Sequence, residues 1–210
     1  MGDDRCRGAD GGRAGRGLAH AAARIYDAFS LGRVARDAMA GQSSRTKGKR
    51  GADTMIRLLI NGEERGVDAE PTANLLDVLR NHFGLMGARF GCGAGQCGAC
   101  AVLIDGEDKA ACMTEIGHVA GKAIVTLEGI GTPERPHPLQ TALLELQAGQ
   151  CGYCLSGIVV GAKALLDRNP EPTRGDIAKA LAWHLCRCGA HNRILDAVLL
   201  AAGRLREARP

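Results

Sequence analysis

Hydrophobic residues alternate with other residues from Met55 onward, as expected for a strand with one buried face. Asn61-Gly62 follows at once and favours a two-residue hairpin turn, because both central positions of such a turn need a positive φ. The pattern therefore predicts strand, turn and strand through Val67. Asp105-Gly106 predicts a second hairpin, entered by the apolar run 101–104, and the segment 123–127 predicts a last strand.

Apolar residues also recur at helical spacing, once before the second hairpin and four times after residue 138. The first helix follows Asn74 and ends at Gly84, a typical helix terminator. Thr173 and Asp176 resemble a capping box that opens the third of the later helices, which is expected to extend through Leu185. The apolar positions of the five helices are Leu75, Leu76, Leu79 and Phe83; Leu139, Leu143 and Leu146; Leu155, Ile158, Val159, Ala162, Leu165 and Leu166; Ile177, Leu181 and Leu185; and Ile194, Leu195, Val198 and Leu199.

A proline-rich connector, 132–138, separates the strand-rich part from the helical part, since prolines continue neither a helix nor a central strand. The sequence thus predicts an α+β chain in three segments. Residues 1–53 form a leader, 54–131 a small domain of two hairpins and a helix, and 132–210 a domain of four helices. Domains this small gain useful stability from bound metal.

Charge is concentrated in the leader. Of the 27 Lys and Arg and 23 Asp and Glu, residues 1–53 hold 11 and 6, so the net charge of +4 does not belong to the folded part. That distribution removes the case for a nucleic-acid-binding domain. No run approaches the roughly 18 apolar residues of a membrane span, and the leader lacks the apolar core of a secretory signal. We expect a cytoplasmic chain whose leader is disordered or, alternatively, precedes a true start at Met55.

Cysteine is abundant, and eight of the nine cysteines lie between Cys92 and Cys188. In a reducing compartment such density favours metal ligation over disulfides. The ninth, Cys6, is expected to be a free thiol. Aromatic residues are few; Trp183 and Tyr153 lie near cysteines and are expected to pack in the core. The six histidines show no spacing typical of a catalytic zinc or a Rieske site.

The first cysteine set lies in GCGAGQCGAC and then AACM, with the spacing C-x4-C-x2-C and a more distant fourth cysteine. This spacing is typical of plant-type [2Fe-2S] ferredoxins. Glycines suit such a loop because backbone N–H groups must approach the cluster sulfides. The fourth cysteine is expected to return from the hairpin at Asp105-Gly106. The set comprises Cys92, Cys97, Cys100 and Cys112.

The second set consists of CGYC and CRC. Cys151 and Cys154 are spaced one helical turn apart, so both are expected on one side of a helix, near the free N–H groups of its N-terminus. Cys186 and Cys188 cannot both face one side of a continuing helix, so the third helix must end there, with Gly189 as terminator. Together these four cysteines predict a second four-thiolate site inside the helical domain.

Zinc is the main alternative for each set. On spacing alone, zinc and iron–sulfur are nearly balanced for the second set, whereas the glycine-rich loop favours iron–sulfur for the first. Disulfides are the weakest interpretation, and a dinucleotide loop is disfavoured because no βαβ unit surrounds the glycines. Two other functions stay open at this point: a stand-alone ferredoxin or redox sensor, and a zinc-stabilised interaction module.

The two motifs in this order, GCGAGQCGAC…C and then GQCGYC…CRCG, resemble the small iron–sulfur subunit of the xanthine oxidase family of molybdenum hydroxylases. The resemblance covers nearly all of residues 55–203, and the leader has no counterpart. Among subgroups the sequence is most similar to the small subunits of nicotinate dehydrogenase and isoquinoline 1-oxidoreductase.

The resemblance implies a plant-ferredoxin-like β-grasp domain holding an outer [2Fe-2S] cluster on the first cysteine set. It further implies a four-helix domain holding an inner [2Fe-2S] cluster on the second, with Gln150 and Cys188 at positions that contact the pterin. The molybdopterin cofactor, the substrate pocket and the catalytic residues belong to a separate large subunit. The implied function is an oxidoreductase subunit that passes electrons from that partner through two clusters to an acceptor. A flavin subunit or a cytochrome c is the implied further partner, and an N-heteroaromatic compound or an aldehyde the substrate.

Overall fold

The fold was established from a computed structural model, which describes residues 55–208. The predictions made for the leader and for Cys6 lie outside these residues. The described strands and helices divide into a sheet half, residues 55–125, and a helical half, residues 127–208. Among the described residues no helix is long and apolar enough to cross a membrane.

The sheet half is built on two hairpins, β1 to β2 and β3 to β4, with β5 between them in the order β2-β1-β5-β3-β4. Both predicted turns are present: Asn61 and Gly62 have φ of 52° and 82°, and Asp105 and Gly106 have φ of 51° and 83°. β1 pairs parallel with β5 and the other neighbours are antiparallel. The strands are β1 Met55–Ile60, β2 Glu63–Asp68, β3 Ala101–Ile104, β4 Glu107–Ala110 and β5 Ala123–Val125.

One helix covers the sheet, as predicted. It begins as α1, Leu75–Asp77, and continues as a π-helical turn, Val78–His82. The Asn74 side chain accepts the backbone N–H groups of Leu76 and Asp77, and Gly84 follows the helix with φ 68°. Its apolar face and one face of the sheet form a core of Leu58, Ile60, Leu75, Leu79, Val102, Ile116 and Ile124.

The helical half contains a short α2, Leu127–Ile130, and four longer helices. α3, Pro138–Glu145, and α6, His191–Glu207, pack along each other, and α4, Leu155–Arg168, lies against β3. α5, Arg174–Ala180, begins at the predicted capping box of Thr173 and Asp176. The core of this half includes Leu139, Leu143, Ile158, Leu166, Ile177, Ile194 and Val198.

β3 is apolar without alternation because both of its faces are covered. Val102 and Ile104 belong to the core under α1, while Ala101 and Leu103 pack against Val160 and Ala164 of α4. All four residues of the strand are buried. A strand buried on both faces has a continuous apolar sequence, and β3 joins the two halves into one packed unit.

Two element ends differ from the sequence prediction. The last strand was expected to extend through residue 127 but ends at Val125, because the Asn61 side chain accepts the Thr126 N–H at 2.9 Å. The third of the later helices was expected to reach Leu185 but ends at Ala180. Past that end the Ala182 N–H bonds the Lys179 carbonyl, only three residues back, and the Leu185 N–H bonds the Cys97 carbonyl in the sheet half at 3.0 Å.

Candidate functional site

Three cysteines lie on the irregular loop between α1 and β3, and the fourth follows β4. The β3–β4 hairpin carries Cys112 back toward the loop, and the Ala111 N–H donates to the Cys100 carbonyl at 3.3 Å. The Asn74 side chain donates to the Cys112 carbonyl while it caps α1. The structure thus brings together Cys92, Cys97, Cys100 and Cys112 in the way the hairpin predicts. We call this group the outer set.

Backbone N–H groups of the loop point at sulfur. Cys92 Sγ accepts from Ala94 N and Gln96 N, each at 3.3 Å, and Cys97 Sγ accepts from Cys92 N at 3.3 Å. The Ala94 and Gln96 hydrogen bonds lower the pKa of Cys92 to about 6, since they favour the thiolate. The loop achieves this with Gly93 and Gly95 at φ 67° and 69°, a conformation that other residues rarely adopt.

The outer set divides into two pairs of adjacent thiols. Cys92 lies beside Cys97 at the exposed end, and Cys100 lies beside Cys112, where both side chains are buried. Burial raises the pKa of Cys100 to about 12, and the neighbouring Cys112 thiol adds to the rise. Cys92 is therefore stabilised as thiolate by the protein alone, whereas Cys100 needs a bound cation to lose its proton.

The second group, the inner set, lies where two turns of the helical half meet. Cys151 and Cys154 precede α4, with Cys154 as its N-cap residue. Cys186 and Cys188 lie in the turn between α5 and α6, where Gly189 has φ 71° and donates to the Cys186 carbonyl at 3.2 Å. The turn is the one predicted for CRC.

The expectation that CGYC forms the first turn of a helix is wrong. Gly152 has φ 76°, so the helix cannot extend back past Cys154. The two thiols consequently do not share a helix face; Cys151 lies beside Cys188, and Cys154 lies beside Cys186. The Tyr153 N–H, which donates to Cys151, and the Cys188 thiol lower the pKa of Cys151, while burial raises the pKa of Cys154 to about 12. The inner set therefore repeats the division into an exposed and a less exposed pair.

The way in which the thiols pair indicates what kind of metal centre these cysteines could bind. All eight cysteines of the described residues are free. Within residues 55–208 no three His, Cys, Asp or Glu side chains are gathered to hold one metal ion. Each iron of a [2Fe-2S] cluster takes two thiolates and shares two bridging sulfides with the other iron, so two adjacent pairs are the donor arrangement that the cluster needs. Both sets fit it.

The two sets are joined by close packing between the halves. His184, 2% exposed, lies between Gly98 of the outer loop and Gly161 of α4. A methyl group at Gly98 would come within 2.8 Å of the His184 Cγ atom. The Leu185 N–H donates to the Cys97 carbonyl at 3.0 Å. Because Cys186 follows Leu185 directly, this hydrogen bond connects Cys97 of the outer set to Cys186 of the inner set through a single intervening residue. We call this contact between the outer loop and the helical half the seam.

Two residues that hold the cysteine sets in place, without being ligand candidates themselves, were not predicted from the sequence. Asn74 holds the Cys112 carbonyl, and His184 fills the seam; neither has a local signature. The available signal for the seam is the spacing of Gly157 and Gly161, four apart in α4, which marks a helix face approached closely by another backbone. Trp183 is partly buried beside the contact between β3 and α4 and donates to Asp108 Oδ2 at 3.0 Å.

Tyr153 and Gln150 lie at the exposed edge of the inner set. Tyr153 is 48% exposed, so the prediction that it packs in the core is wrong; its ring lies under the Arg89 guanidinium instead. The Gln150 side chain is exposed and donates to the Cys188 carbonyl at 3.2 Å. Gln150 and Cys188 are thus neighbours on one face of the molecule.

Two family models match the chain. Residues 58–119 match a 2Fe-2S iron-sulfur cluster binding domain, and residues 126–199 match a [2Fe-2S] binding domain. Each match contains one complete set of four cysteines.

Curated relatives extend over the same region. One nicotinate dehydrogenase subunit, from Pseudomonas putida, is 49% identical over 149 residues, which is 71% of this chain and 95% of that protein. The alpha subunit of isoquinoline 1-oxidoreductase from Brevundimonas diminuta is 44% identical, over 70% of this chain and 97% of that protein.

Solved structures share the fold. Quinoline 2-oxidoreductase from Pseudomonas putida 86 superposes with a TM-score of 0.69 at 35% identity, over 74% of this chain and 98% of that one. The aldehyde oxidoreductase from Desulfovibrio gigas gives a TM-score of 0.71 at 40% identity, again over 74% of this chain but only 18% of that one.

Proposed function

Because this chain belongs to the small [2Fe-2S] subunits of the xanthine oxidase family of molybdenum hydroxylases, we propose that it carries electrons from a molybdopterin site on a partner subunit to an external acceptor. It is an oxidoreductase subunit, and we assign the catalytic centre to the partner. A [2Fe-2S] cluster accepts and releases one electron at a time. The observation that carries the proposal is the division of eight free thiols into four adjacent pairs.

We propose that each set of four cysteines binds one [2Fe-2S] cluster. The outer set would hold one cluster and the inner set the other, each with one pair of thiols toward solvent. The loop N–H groups that donate to Cys92 and Cys97 would stabilise the negative charge of a bound cluster without any side-chain cation. At Cys100 and Cys154, where burial raises the thiol pKa, binding would release protons and couple to folding. The proposed ligands are Cys92, Cys97, Cys100 and Cys112 for the outer cluster and Cys151, Cys154, Cys186 and Cys188 for the inner cluster.

We also propose a domain type for each of the two halves. The mixed five-stranded sheet crossed by α1 is the arrangement expected of a ferredoxin-like β-grasp domain, and α3 to α6 that of a four-helix cluster domain. We place the division between them at the proline-rich connector, giving domains of 54–131 and 132–210, so that α2 ends the first domain while Leu127 packs in the core of the second. A reducing compartment such as the cytoplasm suits eight free thiols.

The partner is proposed to be a molybdopterin-binding large subunit. Gln150 and Cys188 are the proposed pterin contacts, and the hydrogen bond between the Gln150 side chain and the Cys188 carbonyl supports a shared contact face. The relatives named for nicotinate, isoquinoline and aldehydes suggest an N-heteroaromatic compound or an aldehyde as substrate. A flavin subunit or a cytochrome c would receive the electrons.

The test is anaerobic purification of the full chain with whatever copurifies, followed by metal and sulfide analysis and EPR of the reduced protein. Two clusters require about four iron and four sulfide per chain and two distinct [2Fe-2S] signals. Stoichiometric zinc without sulfide would contradict the proposal. Two clusters without a copurifying molybdenum-containing chain would favour a stand-alone electron carrier instead.

A further inference from the structure

Arg89 of the sheet half reaches across to the turn that carries the inner set. Its Nη1 donates to the Gly152 carbonyl at 3.1 Å and to the Tyr153 carbonyl at 3.4 Å. Its guanidinium carbon lies 5.2 Å from the centre of the Tyr153 ring, in cation–π contact. In return the Tyr153 hydroxyl donates to the Phe90 carbonyl. These contacts, which we call the Arg89–Tyr153 bridge, join the segment just before Cys92 to the segment between Cys151 and Cys154.

One peptide group links this bridge to a sulfur atom. The Gly152 carbonyl that accepts from Arg89 belongs to the same peptide as the Tyr153 N–H, which donates to Cys151. A cation on the carbonyl end of a peptide polarises its N–H end and strengthens the hydrogen bond made there. Arg89 therefore both fixes the orientation of this N–H donor and makes it a better donor.

The charge of Arg89 acts on the same atom through space. Its guanidinium lies against the Gly152–Tyr153 segment, between the ligand candidates Cys151 and Cys154, so its positive charge lies beside the inner set. At the outer set the corresponding hydrogen bonds to sulfur come from the backbone N–H groups of Ala94 and Gln96, which donate to Cys92. Although Arg89 is only three residues from Cys92 in sequence, its side chain contacts the turn that carries the inner set.

We propose that Arg89 is a positioning residue that raises the reduction potential of the inner cluster, through the Gly152–Tyr153 peptide and through its own charge. The inference rests on the proposed function, which places a cluster on the inner set. Taking up one electron changes the core from 2+ to 1+, so core and four thiolates together go from −2 to −3. Any group that favours negative charge at Cys151 therefore favours the reduced state and raises the potential.

The experiment is an EPR-monitored redox titration with dithionite on the full-length chain, together with its copurifying subunits. Arg89→Gln removes the charge and the carbonyl contacts. At a fixed ambient potential near the midpoint, the ratio of reduced to oxidised inner cluster should fall about three- to tenfold, a downward shift of roughly 30–60 mV at 59 mV per factor of ten. The outer cluster should shift by a clearly smaller amount.

Three controls separate this role from general loosening of the fold. Arg89→Lys keeps the charge and should recover at least half of the shift. Tyr153→Phe loses the hydroxyl contact but keeps the peptide and the charge, so the inner potential should stay close to wild type. Arg57→Gln removes an exposed cation of β1, which pairs with Glu64, and should move neither cluster.

The outcomes distinguish the inference from the function on which it rests. A wild type without two [2Fe-2S] signals overturns both. A wild type with two signals, combined with an unchanged inner potential in Arg89→Gln, overturns the inference alone. Equal shifts of both clusters, or a Tyr153→Phe shift as large as that of Arg89→Gln, would also overturn it, because either result assigns the effect to general charge or to packing.

Discussion

Gly157 of α4 is the position where one methyl group should do the most damage to the seam between the two halves. A Cβ there would overlap the Gly98 carbonyl oxygen and would lie 2.9 Å from the carbonyl carbon and 3.3 Å from the Cα of Ala99. Ordinary contacts of this kind are about 3.5–4.0 Å. Because the atoms met are backbone, no rotamer change can relieve the overlap, and the outer loop must move by about 1 Å or more.

The size of the effect follows from two opposing contributions. Alanine in place of glycine inside a helix contributes about 1 kcal/mol of stability, whereas overpacking of a filled site costs about 1–3 kcal/mol, and more where backbone must shift. We expect Gly157→Ala to be destabilising by about 2 kcal/mol net. For a chain of this size that corresponds to a fall of roughly 4–8 °C in the midpoint of thermal unfolding.

Gly203 of α6 is the matched control, because a Cβ there meets no atom within 4 Å. Gly203→Ala should raise the midpoint by about 2–4 °C from helix propensity alone. The assay is thermal unfolding of the loaded full chain at one fixed scan rate, followed by far-ultraviolet circular dichroism and by the visible absorbance of the clusters. A Gly157→Ala variant as stable as Gly203→Ala would refute the close packing of the seam.

Three further predictions concern the cysteine sets and two helix ends. Cys97→Ser should abolish the outer EPR signal and spare the inner one, and Cys151→Ser should do the reverse, because the two sets are separate. Asn74→Ala should cost about 1 kcal/mol through the lost helix cap and should accelerate loss of the outer cluster on dilution into chelator, because the Cys112 carbonyl loses its donor. Asp176→Asn should lower stability near neutral pH but not in acid. The Asp176 carboxylate accepts hydrogen bonds from the Thr173 hydroxyl and N–H, which hold its pKa below the ordinary value. The stability that this carboxylate contributes is therefore present above its pKa in the unfolded chain, and it is lost as the pH falls through its lower pKa in the folded protein.

Each of these three predictions has a result that would contradict it. Loss of both EPR signals from a cysteine variant that remains folded would argue against two separate sites. Unchanged chelator kinetics in Asn74→Ala would mean that the Cys112 carbonyl contact is dispensable. A stability difference between wild type and Asp176→Asn that stays constant from neutral to acid pH would show that the carboxylate charge is not what caps α5; denaturant midpoints measured across that range decide it.

The sequence predicts best what is encoded over a few residues. Asn61-Gly62 and Asp105-Gly106 predict both hairpins because their backbone requirement is local, and the cysteine spacing predicts which thiols gather. The course of CGYC was wrongly predicted because spacing alone does not reveal that Gly152 adopts a positive φ. Leu185, expected inside α5, instead donates its N–H to Cys97, 88 positions earlier in the chain, and no local pattern encodes such a partner.

The seam also sets an order of events during synthesis. The outer loop, which contains Gly98, leaves the ribosome well before the residues that pack against it, Gly157, Gly161 and His184. Until those residues emerge, the loop can form its own N–H contacts to sulfur but lacks the residues that pack against it. The Cys97 carbonyl also has no Leu185 N–H to accept from. Maturation of the outer site is therefore expected to finish only after the whole helical half has been translated and docked. The cysteines made first would reach their final environment no earlier than those made last.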